Sequence, residues 1–232
     1  MPRLQGGIAC DRPLPLASRR LTLGRKESNF SYVSTAATIR ASIAKIPRGE
    51  PFTVASLLVH GSRAAVDQSL SRLAKSGVVE RITPGVYVRP EKSPFVEKVL
   101  PQPYRVAQVL AKERGEIVQV HGAEAARRLG LSTQVPARPV FLTSGRSRRF
   151  RVGKLEVVLK NVSRRKLEFA GEPAGLALTA LWYLGKDQVS SEVLRTIDAH
   201  LPPGELEKLR RSPRVTPAWM ADALRNYRRH HD

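Results

Sequence analysis

The chain has 232 residues, of which 40 are lysine or arginine and 20 are acidic, giving a formal net charge of +20. Such a charge predicts a polyanionic partner, because basic side chains bind phosphate groups and release their counterions. A single cysteine, Cys10, excludes an intrachain disulfide and a zinc site built on cysteines. No apolar run approaches the roughly 18 residues of a membrane-spanning helix, and residues 1–20 lack the apolar segment of a signal peptide. We therefore expect a cytoplasmic protein with no membrane partner.

Residues 1–33 are rich in proline, glycine and arginine and show no sustained periodicity. This composition predicts a disordered basic leader rather than a folded element. Two further interpretations stay open. The leader can be the product of a translation start placed too far upstream, or it can be a basic arm that touches DNA as homeodomain arms do.

Residues 34–90 are predicted to form a winged helix-turn-helix, in which a short helix, a tight turn, a longer helix and a β-hairpin follow one another. An additional helix precedes them, capped by Ser34 or Thr35, with its apolar residues on one face. Thr53 is expected to cap the short helix, and Gly61 to supply the turn. The predicted buried positions of these two helices are Ala36, Ile39, Ile43, Ile46, Val54, Leu57 and Leu58.

The longer helix is the expected recognition helix of this module. It begins at the N-cap Ser62 and ends at Gly77, which suits the left-handed position after a helix. Strands over residues 78–82 and 86–88 then flank residues 83–85, whose Pro-Gly pair suits a type II turn. This hairpin is the predicted wing. The buried face of the recognition helix is expected to consist of Val66, Leu70 and Leu73.

The opposite face of the recognition helix is polar. Gln68 and Arg72 can make bidentate contacts with base edges, while Ser71 and Lys75 suit phosphates. Arg63 can instead be held by Asp67 one turn later. Winged helices also mediate protein contacts, and a solvated helix face is naturally polar, so that alternative stays open. The predicted DNA-binding residues are Ser62, Arg63, Gln68, Ser71, Arg72, Lys75, Arg81 and Arg89.

Residues 91–103 are predicted to be a proline-rich linker, and residues 104–232 a second domain. The predicted fold class is α+β, in which the winged helix is followed by a mixed α/β domain with a small sheet and a helical C-terminal part. The helices are expected over residues 104–114, 123–129, 176–184, 193–201, 204–210 and 217–227, and the strands over 117–120, 139–143, 150–152 and 155–161.

The densest basic run of the second domain surrounds Phe150. A basic patch with an aromatic ring can bind single-stranded nucleic acid by stacking and phosphate contact. The same pattern also fits the outer face of a hairpin that turns at Gly153, with Phe150 and Val152 inside. We expect Phe150 in the core and the arginines directed to solvent, where phosphates can reach them. This second basic patch consists of Arg146, Arg148, Arg149 and Arg151.

The sequence carries no recognisable catalytic or cofactor-binding motif. His121, between a strand and a helix, could carry a proton, but it has no partner nearby in sequence, so a structural hydrogen bond is the simpler interpretation. Gly61-Ser62 is followed by Asp67 without the second carboxylate that a nucleotidyltransferase needs for its two metals. We therefore expect a protein that is not an enzyme and that holds no cofactor and no metal.

Residues 34–228 resemble the AbiEi-type antitoxins, the repressor half of type IV toxin–antitoxin systems. Three phrases carry the resemblance in this order: RITPGVYVRP in the hairpin, VQVHGAEAARRLGLS at a strand–helix junction, and PVFLTSGRSRRFRVGKLEVVLKNV over the following strands. Residues 1–33 fall outside the resemblance.

The resemblance implies a transcriptional regulator that binds inverted repeats in double-stranded DNA at its own promoter. Its C-terminal domain would counteract a nucleotidyltransferase-like toxin, and a stable complex with that toxin is not required. Carried over by position, DNA reading falls to Arg63, Gln68, Ser71, Arg72 and Arg81. Two alternatives stay open: an enzyme that processes nucleic acid and uses the winged helix for targeting, or a module that binds RNA or another protein.

Overall fold

The N-terminal part of the fold combines helices with a small antiparallel sheet. A computed structural model describes residues 34–91, 94 and 99–227. The elements are α1 (Thr35–Lys45), β1 (Pro51–Thr53), a 3-10 helix (Ala55–His60), α2 (Arg63–Lys75), β2 (Glu80–Thr83) and β3 (Val86–Val88). In the sheet, β3 is central, and both β1 and β2 pair with it in antiparallel orientation.

Local hydrogen bonds set the ends of these elements. Ser34 Oγ accepts the Ala37 N–H at 3.2 Å and begins α1, which confirms the predicted N-cap. Thr53 Oγ1 accepts the Ser56 N–H at 3.4 Å at the start of the 3-10 helix. Gly85 has φ +80°, the value that the third residue of a type II turn requires.

Two sequence expectations in this region are wrong, since Ala36 and Leu58, both expected inside, are exposed, Leu58 to 40%. The predicted short helix is a 3-10 helix. The strand β1 was not expected either. Its three residues carry no periodic signal of their own, and they form a strand because they pair with β3, with Phe52 opposite Tyr87.

The remainder of the chain is a four-stranded sheet with a helical C-terminal part. The elements are α3 (Pro103–Lys112), β4 (Val118–Val120), α4 (Gly122–Arg128), β5 (Val140–Thr143), β6 (Arg148–Val152), β7 (Leu155–Asn161), a 3-10 helix (Arg164–Leu167), α5 (Pro173–Leu184), a 3-10 helix (Lys186–Gln188), α6 (Ser191–Ala199), α7 (Glu205–Arg210) and α8 (Ala218–Asn226). The strand order is β4-β5-β7-β6, and β5 pairs with β7 in parallel while the other pairs are antiparallel.

Two hydrophobic clusters organise the fold. The first joins α1, the 3-10 helix at residues 55–60 and α2. The second joins the four-stranded sheet with the helices α3 to α8, and the buried helix α5 contributes five buried residues to it. Val86 and Ile82 of the β2–β3 hairpin pack in this second cluster, so the hairpin connects the two halves. The described residues accordingly belong to one compact unit.

The coarse prediction of an α+β fold with helices and small sheets is confirmed. Three parts of the chain lie outside the described residues. They are the predicted leader at residues 1–33, residues 92–93 and 95–98 of the predicted linker, and residues 228–232.

Candidate nucleic-acid interface

Helix α2 is fixed by caps at both ends and by a buried apolar face. Ser62 Oγ accepts the Ala65 N–H at 3.3 Å and begins the helix. At the other end Gly77 has φ +71°, and the Val78 N–H donates to the Leu73 carbonyl at 2.9 Å, the hydrogen bond that closes a helix before a left-handed glycine. Both predicted caps are confirmed. The buried face comprises Val66, Ser69, Leu70 and Leu73.

The other face of α2 is open to solvent. Its small and polar side chains are all exposed. Over the described parts of the chain, no hydrogen bond or ion pair engages the side chains of Gln68, Arg72 or Lys75. Their donors and acceptors are therefore available to an external partner. This exposed face consists of Ala64, Gln68, Ser71, Arg72 and Lys75.

Arg63 differs from these residues because it has an internal partner. Its Nε lies 2.9 Å from Asp67 Oδ2, in the i,i+4 pair that the sequence predicted. Both side chains are at least half exposed, so the pair adds little to stability. It does hold the guanidinium against the helix, which leaves Arg63 less suited to reading a base than Arg72.

The hairpin offers one exposed arginine and uses the other internally. Arg81 lies exposed on β2, opposite Tyr87. Arg89, expected to contact DNA, donates from Nη1 to the carbonyls of Ala44 and Ile46, at 2.7 and 2.6 Å. It therefore satisfies carbonyls at the C-terminus of α1 and joins that helix to the end of β3, and we remove it from the predicted DNA surface.

Arg89→Ala is expected to lower the free energy of unfolding by about 2 kcal/mol, because two carbonyls lose a charged donor. Arg81→Ala, which removes the same side chain from an exposed position, should change stability by less than about 0.5 kcal/mol. Urea unfolding of both variants measures the difference. Equal stability of the two variants would show that the Arg89 contacts contribute nothing.

The second basic patch does not form one surface. Arg148 Nη1 donates to Glu116 Oε1 at 2.9 Å, and its Nη2 lies 2.6 Å from Glu116 Oε2, although this second contact lacks hydrogen-bond angles. The two side chains are 20% and 14% exposed. The expectation that Arg148 points to solvent is therefore wrong, because alternation along β6 turns it to the inner face of the sheet, where Glu116 lies.

The residues after Arg148 on β6 alternate between the inner and the outer face of the sheet. Phe150 packs against the second cluster, as predicted. Arg149 and Arg151 are exposed on the outer face, where Arg149 Nη1 lies 3.8 Å from Glu156 Oε1. Arg146, in the loop between β5 and β6, is also exposed. Three of the four arginines are thus accessible, but Arg146 belongs to a loop at the end of the sheet and the other two to its face.

The structure adds Arg114, which sequence reasoning missed. Arg114 follows α3 and lines a polar cleft of about 630 Å³ together with Arg146. Asn161 orders the adjoining loop, since its Nδ2 donates to the Gly145 carbonyl at 2.7 Å and its N–H donates to Ser147 Oγ at 2.9 Å. No signal in the sequence could have predicted that Arg114 and Arg146 line the same cleft, because only the fold brings the two segments together.

His121 has a structural partner in this fold. Its Nδ1 accepts the Ala123 N–H at 3.3 Å and caps α4. Burial, followed by the nearby positive charge of Lys160, lowers the pKa of His121 below its usual value. The ring is therefore neutral at pH 7, with Nδ1 as the acceptor and the proton on Nε2. This capping contact is the structural role that the sequence suggested.

Among the residues that the structure describes, no three histidine, cysteine or acidic side chains are grouped so that they could hold a metal ion. Within the same residues, every helix is too short or too polar to cross a lipid bilayer.

The chain matches a known protein family. A model described as a family of unknown function, DUF6088, matches residues 38–209, which include the described elements from α1 to α7 almost completely. No curated protein and no solved structure matches the chain.

Proposed function

The chain belongs to the family of unknown function DUF6088, and we propose that this member is a sequence-specific DNA-binding transcriptional regulator acting in the cytoplasm. The observation that carries the proposal is the exposed face of α2. A helix whose one face is fully buried holds Gln68 and Arg72 in solvent, where neither side chain has a partner among the described residues. These are the side-chain types that recognise adenine and guanine edges in the major groove.

The order of elements supports a winged helix-turn-helix over residues 34–90. The 3-10 helix at 55–60 and α2 are separated only by Gly61 and Ser62, and the β2–β3 hairpin follows α2 directly. A Cβ at Gly61 would lie 2.6 Å from Thr35 Cγ2, so a side chain in the turn would have to displace Thr35. In this arrangement α2 would enter the major groove, and Arg81 of the wing would contact the backbone or the minor groove.

The net charge favours nucleic acid over a neutral protein partner. The chain carries +20, and the exposed cations beyond α2 include Arg146, Arg149 and Arg151. These residues would add phosphate contacts, which raise affinity for any sequence, while the α2 face supplies sequence preference.

We further propose that the protein is the antitoxin and autorepressor of a type IV toxin–antitoxin operon. The support is the resemblance to AbiEi-type antitoxins. The three phrases that carry it coincide with the β2–β3 hairpin, with β4 and α4, and with the strands β5 to β7. Under this proposal the DNA contains inverted repeats of the protein's own promoter. The second half counteracts a nucleotidyltransferase-like toxin, with no stable complex required.

A mobility-shift assay with the DNA upstream of the protein's own gene tests the regulator. We expect a discrete complex that survives an excess of unrelated duplex, since base contacts make specific binding far tighter than non-specific binding. Competition by unrelated DNA at equal concentration would contradict sequence-specific binding.

The antitoxin role is tested separately, by expressing the product of the adjacent gene with and without this chain. We expect that product alone to arrest growth and co-expression to restore it. Variants of the α2 face should still restore growth when the toxin is expressed from an unrelated promoter, because neutralisation is assigned to the second half. Growth arrest that co-expression does not relieve would contradict the antitoxin role and leave DNA binding standing.

A further inference from the structure

The second half of the fold contains a cleft that DNA binding does not use. It has a volume of about 390 Å³, within the range of roughly 300–1,000 Å³ that small-molecule sites occupy. The start of α3, one face of α4 and the segment that leads into β5 form its walls. Its apolar lining includes Pro103, Val135, Pro136, Pro139, Phe141 and Leu155.

Aromatic and apolar surface remains accessible in this cleft. The rings of Tyr104 and Phe141, which line it, have centroids 5.3 Å apart and planes inclined at 54°. Val135 and Leu155 are 77% and 42% exposed. The Tyr104 hydroxyl is protonated at neutral pH, as any tyrosine is, and burial raises its pKa further, so it can donate a hydrogen bond. Such a surface suits a planar apolar ligand with a hydrogen-bond acceptor.

The one carboxylate among these lining residues is already occupied. Glu124 accepts from Arg127 Nε and Nη2 at 2.8 and 2.9 Å, and from Arg128 Nε at 2.8 Å. The hydrogen bonds from Arg127 and then Arg128 hold the pKa of Glu124 at about 2, so it is charged and saturated with donors at neutral pH. An incoming cation would have to displace these arginines.

The remaining polar groups of the lining are mainly donors. Arg128 uses only Nε within the described chain, so its two terminal nitrogens are available. His121 uses Nδ1 as an acceptor and keeps a proton on Nε2. Arg138, at 3.5 Å from Glu156, is loosely held and largely exposed. Donors of this kind favour an anionic ligand over a cation.

We propose that this cleft binds a small planar aromatic acid, whose ring packs against Tyr104, Phe141 and the prolines and whose carboxylate pairs with Arg128. A guanidinium can hold a carboxylate through two parallel hydrogen bonds, which fixes the orientation of the ring as well as its charge. The site is independent of the DNA surface assigned to α2.

Isothermal titration of the full chain with 2-naphthoate tests the site. We expect saturable binding at one site per chain, with 2-naphthamide, the neutral analogue, at least tenfold weaker. Arg128→Met is expected to weaken 2-naphthoate about tenfold or more, because a charge-assisted contact is lost. Arg127→Met is the matched control, since Arg127 pairs with the same Glu124 from the same helix and does not line the cleft.

Three outcomes would overturn the site: no saturable binding, equal weakening by the two variants, or equal affinity for acid and amide. Equal weakening would mean that 2-naphthoate responds only to the positive charge of the chain. Thermal unfolding of both variants shows that each is folded, and Val135→Trp, at an exposed position on the rim, provides a second obstruction that should also weaken binding. No DNA enters the assay, so its result and that of the mobility shift stand separately.

Discussion

Replacing Gln68 or Arg72 with alanine is expected to weaken binding to the upstream DNA by about 1–3 kcal/mol each, or about 5- to 150-fold. Both side chains are exposed on α2 and have no internal partner among the described residues. Their loss should therefore remove base contacts without disturbing the fold. The preference for the upstream DNA over unrelated DNA should fall together with the affinity.

Arg195→Ala provides the charge-matched control for Arg72→Ala. Arg195 is exposed on α6, outside the proposed winged helix, and its removal changes the net charge by the same amount. We expect at most a small and sequence-independent loss of affinity. Fluorescence anisotropy with specific and unrelated duplexes measures both quantities. If Arg72→Ala and Arg195→Ala behave alike, α2 is not the recognition helix.

Arg148→Met is expected to lower the free energy of unfolding by about 3 kcal/mol, because it leaves the carboxylate of Glu116 without its partner in a largely buried position. Methionine keeps the aliphatic part of the side chain, so the loss reports on the charge. A double-mutant cycle with Glu116→Gln should show strong coupling, since the second substitution removes the charge that the first leaves unpaired.

Arg146→Met is the contrasting variant, from the same basic run. Arg146 is exposed and makes no ion pair with any described residue, so the free energy of unfolding of the Arg146→Met variant should match that of the parent chain. If the loop contacts a phosphate, the slope of log affinity against log salt should fall by about one. Urea unfolding and DNA binding at several salt concentrations measure the two effects. A stability loss in Arg146→Met as large as in Arg148→Met would contradict the division of this run into a buried and an exposed arginine.

Elements defined by neighbouring residues were predictable. Ser34 and Ser62 begin α1 and α2 as expected, because an N-cap bonds to an N–H three residues later. Gly77 and Gly85 take positive φ angles as expected, because glycine alone lacks the Cβ that makes this region costly. The i,i+4 pair between Arg63 and Asp67 follows from helical spacing in the same way.

Features that depend on residues distant in sequence were not predictable. Residues 51–53 form a strand because they pair with β3, and Leu58 stays 40% exposed, which depends on what the fold places beside the 3-10 helix. Arg89 and Arg81 flank the same hairpin, but only the position of α1 gives Arg89 two carbonyls to bind. The sequence signals of these two arginines are alike, so local reasoning assigned them the same role.

The sequence by itself determined the caps of α1 and α2, the Pro-Gly turn of the β2–β3 hairpin and the polar face of α2, since these depend on spacing and on local hydrogen bonds. Only the tertiary structure decided which arginines stay available. Arg148 and Arg89 are held by Glu116 and by α1, whereas Arg72 and Arg146 remain in solvent. The physical reason is that a charged side chain pairs with whatever acceptor the fold brings within reach. The sequence alone does not show which of the 40 basic residues will contact the 20 acidic residues or the backbone carbonyls.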